Sequence, residues 1–282
     1  MRNSNQNIKI LWDGNAALVV HKPAGIATQA AEGIESLETL LRTQFAERTD
    51  YLAFPHRLDR PVSGVLLVAT RKRAARLLSE QFASRKVTKT YHAWVMGQVH
   101  AQQLGHWVDH MRKITNQSQA EIVQPSSQGA RVAETKVSLR MYDSATNRSL
   151  LELSPLTGRM HQLRLQTAQR GFPIIGDWQY GGQKIVDESG KFVEIGKKPD
   201  QTQREVPYSA TRLNNETAQK RGSSEAQNAS EGTASELETP VTEGNTRHVD
   251  RILLQAHQIE FHDPTNGTLK TVTASEELPQ SV

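Results

Sequence analysis

With 282 residues, the chain is long enough to bury a substantial hydrophobic core in one large domain or two small ones. It contains no cysteine, which excludes disulfides, thiolate catalysis and cysteine-based zinc sites. The formal net charge of +4 conceals an uneven distribution: residues 1–182 carry 23 basic and 14 acidic side chains, whereas residues 183–282 carry 11 and 16.

A basic body of this kind attracts polyanions, although a solvated basic surface without a partner has the same composition. The N-terminal residues MRNSNQNIKILWDG lack an apolar leader, and no stretch approaches the roughly 18–20 apolar residues of a membrane helix. A soluble, cytoplasmic, monomeric protein is the expectation.

Along the chain, Ile8–His21 reads as two short strands about a turn, followed by a Lys22–Gly25 loop marked by proline and glycine. Leu37, Leu40, Leu41 and Phe45 have helical spacing. Gly64–Ala69 is a short continuous apolar run of the kind found in buried strands. Thr70 is placed to cap a helix over Arg71–Arg85, with Ala74, Leu77, Leu78 and Phe82 inward and Arg71, Arg73, Arg76 and Arg85 on the other face. Thr90–Val95 and Ser149–Leu153 read as strands, and Arg159–Arg170 as a helix closed by Gly171. Pro173–Gly176 is an apolar turn. Residues 199–248 are nearly empty of large apolar side chains, too few to offset ordering entropy, and Lys184–Lys197 before them has the pattern of a hairpin. Ile252–Phe261 then returns as a strand. The expected organisation is one domain of residues 1–182 plus 249–282, interrupted by a polar, largely disordered insertion at 183–248. Strands that cluster early and return late favour an α+β fold, with a mixed, mostly antiparallel sheet and flanking helices.

Three segments carry chemistry. In His56-Arg57-Leu58-Asp59-Arg60 a carboxylate lies between two arginines, in a loop that leads into a buried strand. Flanking cations favour the ionised form that a nucleophile requires, yet a loop aspartate in a turn and a surface ion pair looks the same. In Thr157-Gly158-Arg159-Met160-His161-Gln162-Leu163-Arg164, helical spacing sets His161 and Arg164 on one face. That arginine can pair with a carboxylate or grip a phosphate; a solvated basic helix start is the plain alternative. In Lys89-Thr90-Tyr91 the tyrosine enters a strand, where core packing is its usual work. His106 and His110, with Asp109 between them, have the i, i+4 spacing of metal ligands, but a third convincing ligand is lacking, so no metal is expected and a metal-dependent hydrolase is remote.

Taken together and in order, the segments resemble the RluA-type RNA pseudouridine synthases. HRLDRPVSGVLLVAT is similar to that family's central motif, KTYHAWVMG to its K-x-Y strand, and TGRMHQLRLQTAQRGFPIIGDWQYGG to its T-G-R-x-H-Q block. VVHKPAG and LLQAHQIEFHDPTNG fit its outer segments, so the likeness runs over about residues 8–182 and 249–280. Val62 departs from the usual threonine and Gln166 from a common histidine. An S4-type RNA-binding domain, frequent in the family, is not expected, because few residues precede the first strand.

The resemblance implies a pseudouridine synthase fold with a central catalytic cleft. It implies a redox-neutral isomerisation of uridine that requires no cofactor. Asp59 would be the nucleophile, acting at C1′ or by abstraction and addition chemistry on the sugar and base. Arg164 would hold Asp59 ionised, and Tyr91 would pack under the target base and serve in the later proton removal from C5. Arg57 would fill the space left by the everted base. His56, Arg60, Arg71, Arg73, Lys89, Arg159 and His161 would contact RNA, and the implied partner is a structured rRNA or tRNA stem-loop. A catalytically lapsed RNA-binding protein of the same fold is the alternative.

Overall fold

Alternating and continuous apolar runs in this sequence combine into one mixed sheet. In a computed structural model, which describes residues 7–182 and 251–279, its strands in chain order are β1 (Ile10–Asp13), β2 (Ala17–Lys22), β3 (Ser63–Ala69), β4 (Thr88–Met96) and β5 (Gly105–Lys113). They continue as β6 (Ala120–Ile122), β7 (Arg131–Asp143), β8 (Arg148–Pro155), β9 (Leu254–His262) and β10 (Leu269–Thr273). The expected insertion at 183–248, with its hairpin, lies outside the described residues. Spatial order is β1-β2-β3-β9-β4-β8-β7-β5-β6, with β10 also paired to β9. Every pairing is antiparallel except β3 with β9, in keeping with the expected α+β class.

The continuous run of β3 is apolar throughout because both of its faces are covered. α1 (Leu37–Gln44) and α2 (Lys72–Ala83) bury Leu37, Leu41, Ala74 and Leu78. α1 begins with a capping box, in which Ser36 and Thr39 satisfy each other's backbone N–H. Thr70 does not cap α2. It is buried and its N–H donates to Ala16 O, extending the pairing beside β3, so Arg71 takes the N-cap position without a side-chain bond.

The third helix, α3 (Gln162–Gln169), is shorter than the sequence suggests. Arg159 and Met160 lie in the preceding turn, and His161 is the N-cap in a left-handed conformation, φ 53°. Gly171, φ 83°, closes the other end as expected. Strands β5, β6, β7 and β10 had no counterpart in the sequence reading. Among the described residues, no helix is long and apolar enough to cross a membrane.

One row across the sheet fixes the geometry that matters. Ala256 in β9 is paired on one side with Gly64 in β3 and on the other with Tyr91 in β4. β3 follows from the Asp59 loop, and its Gly64 stands two strand spacings, roughly 10 Å, from Tyr91. The register of β4 against β9 shifts between Thr90 and Tyr91, at this point. Gly64 has φ +118°, and a Cβ there would stand 2.1 Å from Ala256 O. Strain and overlap together predict that Gly64→Ala destabilises the fold by at least about 2 kcal/mol, read as a melting-temperature drop of roughly 4 °C or more. An unchanged melting temperature would remove this row as a constraint.

Candidate active site

The Asp59 loop is tied to the segment 22–28, in part through its own Arg60. Thr28 Oγ1 donates to Leu58 O at 3.0 Å and accepts from Leu58 N at 3.2 Å. Gly25 N donates to Arg60 O at 2.9 Å, and Arg60 Nε donates back to Gly25 O at 3.1 Å. Beneath them lies Lys22, 0% exposed, whose Nζ donates to Pro23 O and Ile26 O at 2.8 Å and to Arg60 O at 3.3 Å. Burial pulls this ammonium down to about 7, against the opposing charge of Asp59. Its position in KPAG signals a turn, not a buried cation, and the sequence reading gave it no role.

Asp59 is partly open, its side chain 32% exposed. The cation beside it is Arg164, 105 residues later in the chain, whose Nη1 donates to Oδ2 at 3.2 Å. Two expectations meet here, a pairing with Arg164 from the resemblance and flanking charge from the local sequence. Of the flanking arginines, Arg57 is exposed and makes no hydrogen bond or ion pair among the described residues.

Arg164 itself is 5% exposed and fully engaged. Nε and Nη2 form a fork on Asp177, at 2.6 and 2.8 Å, and Nη2 also reaches Gln179 Oε1 at 2.8 Å. Its plane lies over the Tyr180 ring, 5.1 Å from the centroid. The two carboxylates and the fork hold the guanidinium charged, against burial, which lowers it. Asp177 and Tyr180 belong to the GDWQYGG segment, where a buried aspartate had no local signal.

His161 completes this group. Its Nδ1 is 2.8 Å from Tyr180 Oη, and its Nε2 is 3.7 Å from Asp59 Oδ2. Tyr180 Oη accepts from Ala120 N, so its own proton is best directed at Nδ1, leaving Nε2–H toward Asp59. Burial depresses His161 while Asp59 opposes that effect, so the ring is neutral at neutral pH. His161 and Arg164 therefore do converge, but by a left-handed cap rather than a shared helical face.

Tyr91 is half-buried. Burial first, and the Asp59 charge second, push its hydroxyl above the ordinary tyrosine range. Asp59, Tyr91, Arg164 and His161 thus share one electrostatic neighbourhood.

The other residues expected to contact RNA differ in exposure. His56 Nε2 accepts from Leu67 N at 3.0 Å and its ring lies 4.9 Å from Phe82, so it is turned inward; burial lowers it to about 3. Lys89 is half-buried, lowered by burial, with Nζ 4.0 Å from where a Gly158 side chain would begin. Arg159 is exposed, its Nε donating to Val132 O at 2.8 Å. Arg71, at the N-cap of α2, and Arg73, in its first turn, are exposed.

A buried polar chain sets the orientation of α3. Gln162 accepts from Thr157 Oγ1 at 2.8 Å and donates to Thr135 Oγ1 at 2.9 Å. Thr135 donates to Gln166 Oε1 at 2.6 Å, and Gln166 donates to Asp109 Oδ2 at 2.7 Å. Asp109 is further bound by Arg170 at 2.9 Å. His106 and His110 lie on strand β5, where four residues span roughly 13 Å, too far to share a metal.

Comparison with known proteins agrees with this layout. Residues 16–169 match the RNA pseudouridylate synthase family. The ribosomal large subunit pseudouridine synthase C of Pasteurella multocida is 38% identical over 195 residues, covering 64% of this chain and 54% of that protein. The protein of the same name from Haemophilus ducreyi is 36% identical over 186 residues, 62% of this chain and 53% of that one. The chain thus spans about half the length of the curated relatives it matches. The fold of human RNA pseudouridylate synthase domain containing 1 superposes with a TM-score of 0.59 at 22% identity, covering 96% of this chain and 84% of that one.

The ion pairs differ in burial, and that difference is measurable. Asp177 is 1% exposed, so Asp177→Asn leaves Arg164 short of compensation and is expected to lower unfolding free energy by about 3 kcal/mol. Asp59→Asn, at the open end, is expected to change it by less than about 1 kcal/mol. Denaturant unfolding of both variants checks the order; equal effects would contradict it.

Proposed function

This chain belongs to the RNA pseudouridylate synthase family, and we propose that it isomerises uridine to pseudouridine in structured RNA, with Asp59 as the nucleophile. The observation that carries the reading is the Asp59–Arg164 contact at 3.2 Å, in which a half-open carboxylate is aimed by a buried arginine. The names of the relatives support RNA of the large ribosomal subunit as the substrate class.

The reaction breaks N1–C1′ and forms C5–C1′, and the C5 proton is exchanged for one at N1. Product and substrate have the same composition, so neither an electron carrier nor a co-substrate enters the balance. In this reading Arg164 orients Asp59 without closing it off, because Asp177 carries most of the arginine's pairing. Tyr91 packs beneath the base as a protonated phenol, its hydroxyl held up by burial and by the nearby carboxylate. His161 presents a neutral Nε2–H toward Asp59. Lys22 supports the nucleophile loop from below, and the inward-facing His56 steadies it from behind.

A uridine inside a stem is unreachable, so the target leaves the stack at a cost of a few kcal/mol. Arg57, exposed beside the nucleophile, supplies a planar guanidinium for the vacated space. Arg60, Arg159, Lys89 and the exposed Arg71 and Arg73 at the start of α2 are assigned to phosphate contacts.

Asp59→Asn and Asp59→Ala are expected to reduce pseudouridine formation on unmodified large-subunit rRNA transcripts roughly a thousandfold or more, with RNA affinity within about threefold of wild type. Mass spectrometry of digested RNA reads the first quantity and filter binding the second. Near-normal turnover in either variant would refute the nucleophile assignment. We further assign catalysis to residues 1–182 plus 249–282. Replacing 199–246 by a short linker is therefore expected to leave turnover within about twofold, and a larger loss would overturn that division.

A further inference from the structure

We propose that Trp178 is a stacking platform for a nucleobase of the bound RNA, next to the reacting uridine. The inference rests on the function proposed above and extends it to a specific substrate contact.

Trp178 is 69% exposed, the most exposed large apolar side chain among the described residues. The other tryptophans are used differently: Trp94 and Trp107 are 2% and 5% exposed, and Trp12 packs edge-on against Phe261. A single exposed apolar residue needs no explanation by itself. The position of this one does.

Trp178 begins a short 3-10 turn, Trp178–Tyr180, and its sequence neighbours are all committed to the site. Asp177 accepts the Arg164 fork at 2.6 and 2.8 Å. Gln179 accepts from Arg164 Nη2 at 2.8 Å and donates from Nε2 to Ser118 O at 3.1 Å. Tyr180 Oη accepts from Ala120 N at 3.1 Å and meets His161 Nδ1 at 2.8 Å. Behind the turn, Gly182 N donates to Asp177 O at 2.8 Å, and the chain passes so close that a Cβ on Gly182 would stand 2.1 Å from Ile174 O.

The backbone carrying the indole is therefore fixed from both sides by the residues that hold Arg164. Only the Trp178 side chain in this turn lacks a hydrogen bond, ion pair or ring contact among the described residues. Holding a large apolar ring in water on a rigid turn does nothing for the fold. It is well suited to a partner with a flat apolar face.

Among RNA groups, that partner is a base. Unstacked bases near an everted nucleotide have free faces, and aromatic side chains receive them without regard to sequence. The excess positive charge of residues 1–182 makes an anionic strand the favoured occupant over a neutral protein surface. An aromatic–base contact is worth roughly a fivefold to hundredfold change in affinity.

The test compares Trp178→Ala, Trp178→Leu and Trp178→Phe in the full chain, using an in vitro transcript of large-subunit ribosomal RNA as the probe. Trp178→Ala and Trp178→Leu are expected to weaken binding at least about fivefold, and Trp178→Phe less than about threefold. Unfolding temperature and the single-turnover rate at saturating RNA are expected to stay unchanged. Equal affinity in all variants overturns the proposal, as does a Leu variant that binds like wild type, since planarity would then be irrelevant. Unchanged RNA affinity with altered sedimentation would assign the ring to a second copy of this chain and also overturn it. If the wild type forms no pseudouridine but Trp178→Ala still loses affinity, the catalytic reading fails while the platform stands.

Discussion

One buried arginine organises this site. Arg164 is surrounded by two carboxylates, an amide oxygen and an aromatic ring, so its desolvation is offset by charge-assisted bonds from Nε, Nη1 and Nη2. The arrangement is asymmetric. Asp177 is inaccessible and takes two bonds, whereas Asp59 takes one and remains partly open. The role proposed for Asp59 needs such treatment, because a fully paired carboxylate is aimed but occupied. Asp177 anchors the arginine, and the arginine aims Asp59.

The fold supplies the precision behind that contact. α3 is held by a chain of buried amides and hydroxyls from Thr157 through Gln162, Thr135 and Gln166 to Asp109, each with a partner. Fully satisfied buried networks fix one geometry, because any slip leaves polar groups unpaired in low dielectric. Gly64, Ala256 and Tyr91 form a row across β3, β9 and β4, and only glycine permits the close approach of β3 to β9. The Asp59 loop, Tyr91 and Arg164 thus come from separate parts of the chain and meet through sheet register and helix docking.

Legibility in the sequence followed the strength of the apolar pattern. β2, β3 and α2 stood out because their inner residues are large and regularly spaced. β7 did not, because its buried positions include Ala133 and Thr135, small or polar residues that leave a weak alternation. α3 buries Gln162, Arg164, Gln166 and Thr167 as well as Leu163, so it has no amphipathic stripe to mark its first turn. The left-handed cap at His161 was hidden for the same reason. Asp59, Tyr91 and Arg164 came forward through family resemblance, since each taken alone looks ordinary. Lys22, Asp177 and Tyr180 remained unseen: their roles depend on what packs over them, which no local spacing encodes.

The central claim is that the two-carboxylate fork, not positive charge alone, makes Asp59 competent. Arg164→Lys keeps the charge but cannot hold Asp177 in a bidentate grip while reaching Asp59. Pseudouridine formation by this variant at saturating RNA is the most direct test. The account predicts a fall of roughly a hundredfold with RNA affinity nearly unchanged. Turnover close to wild type would contradict it.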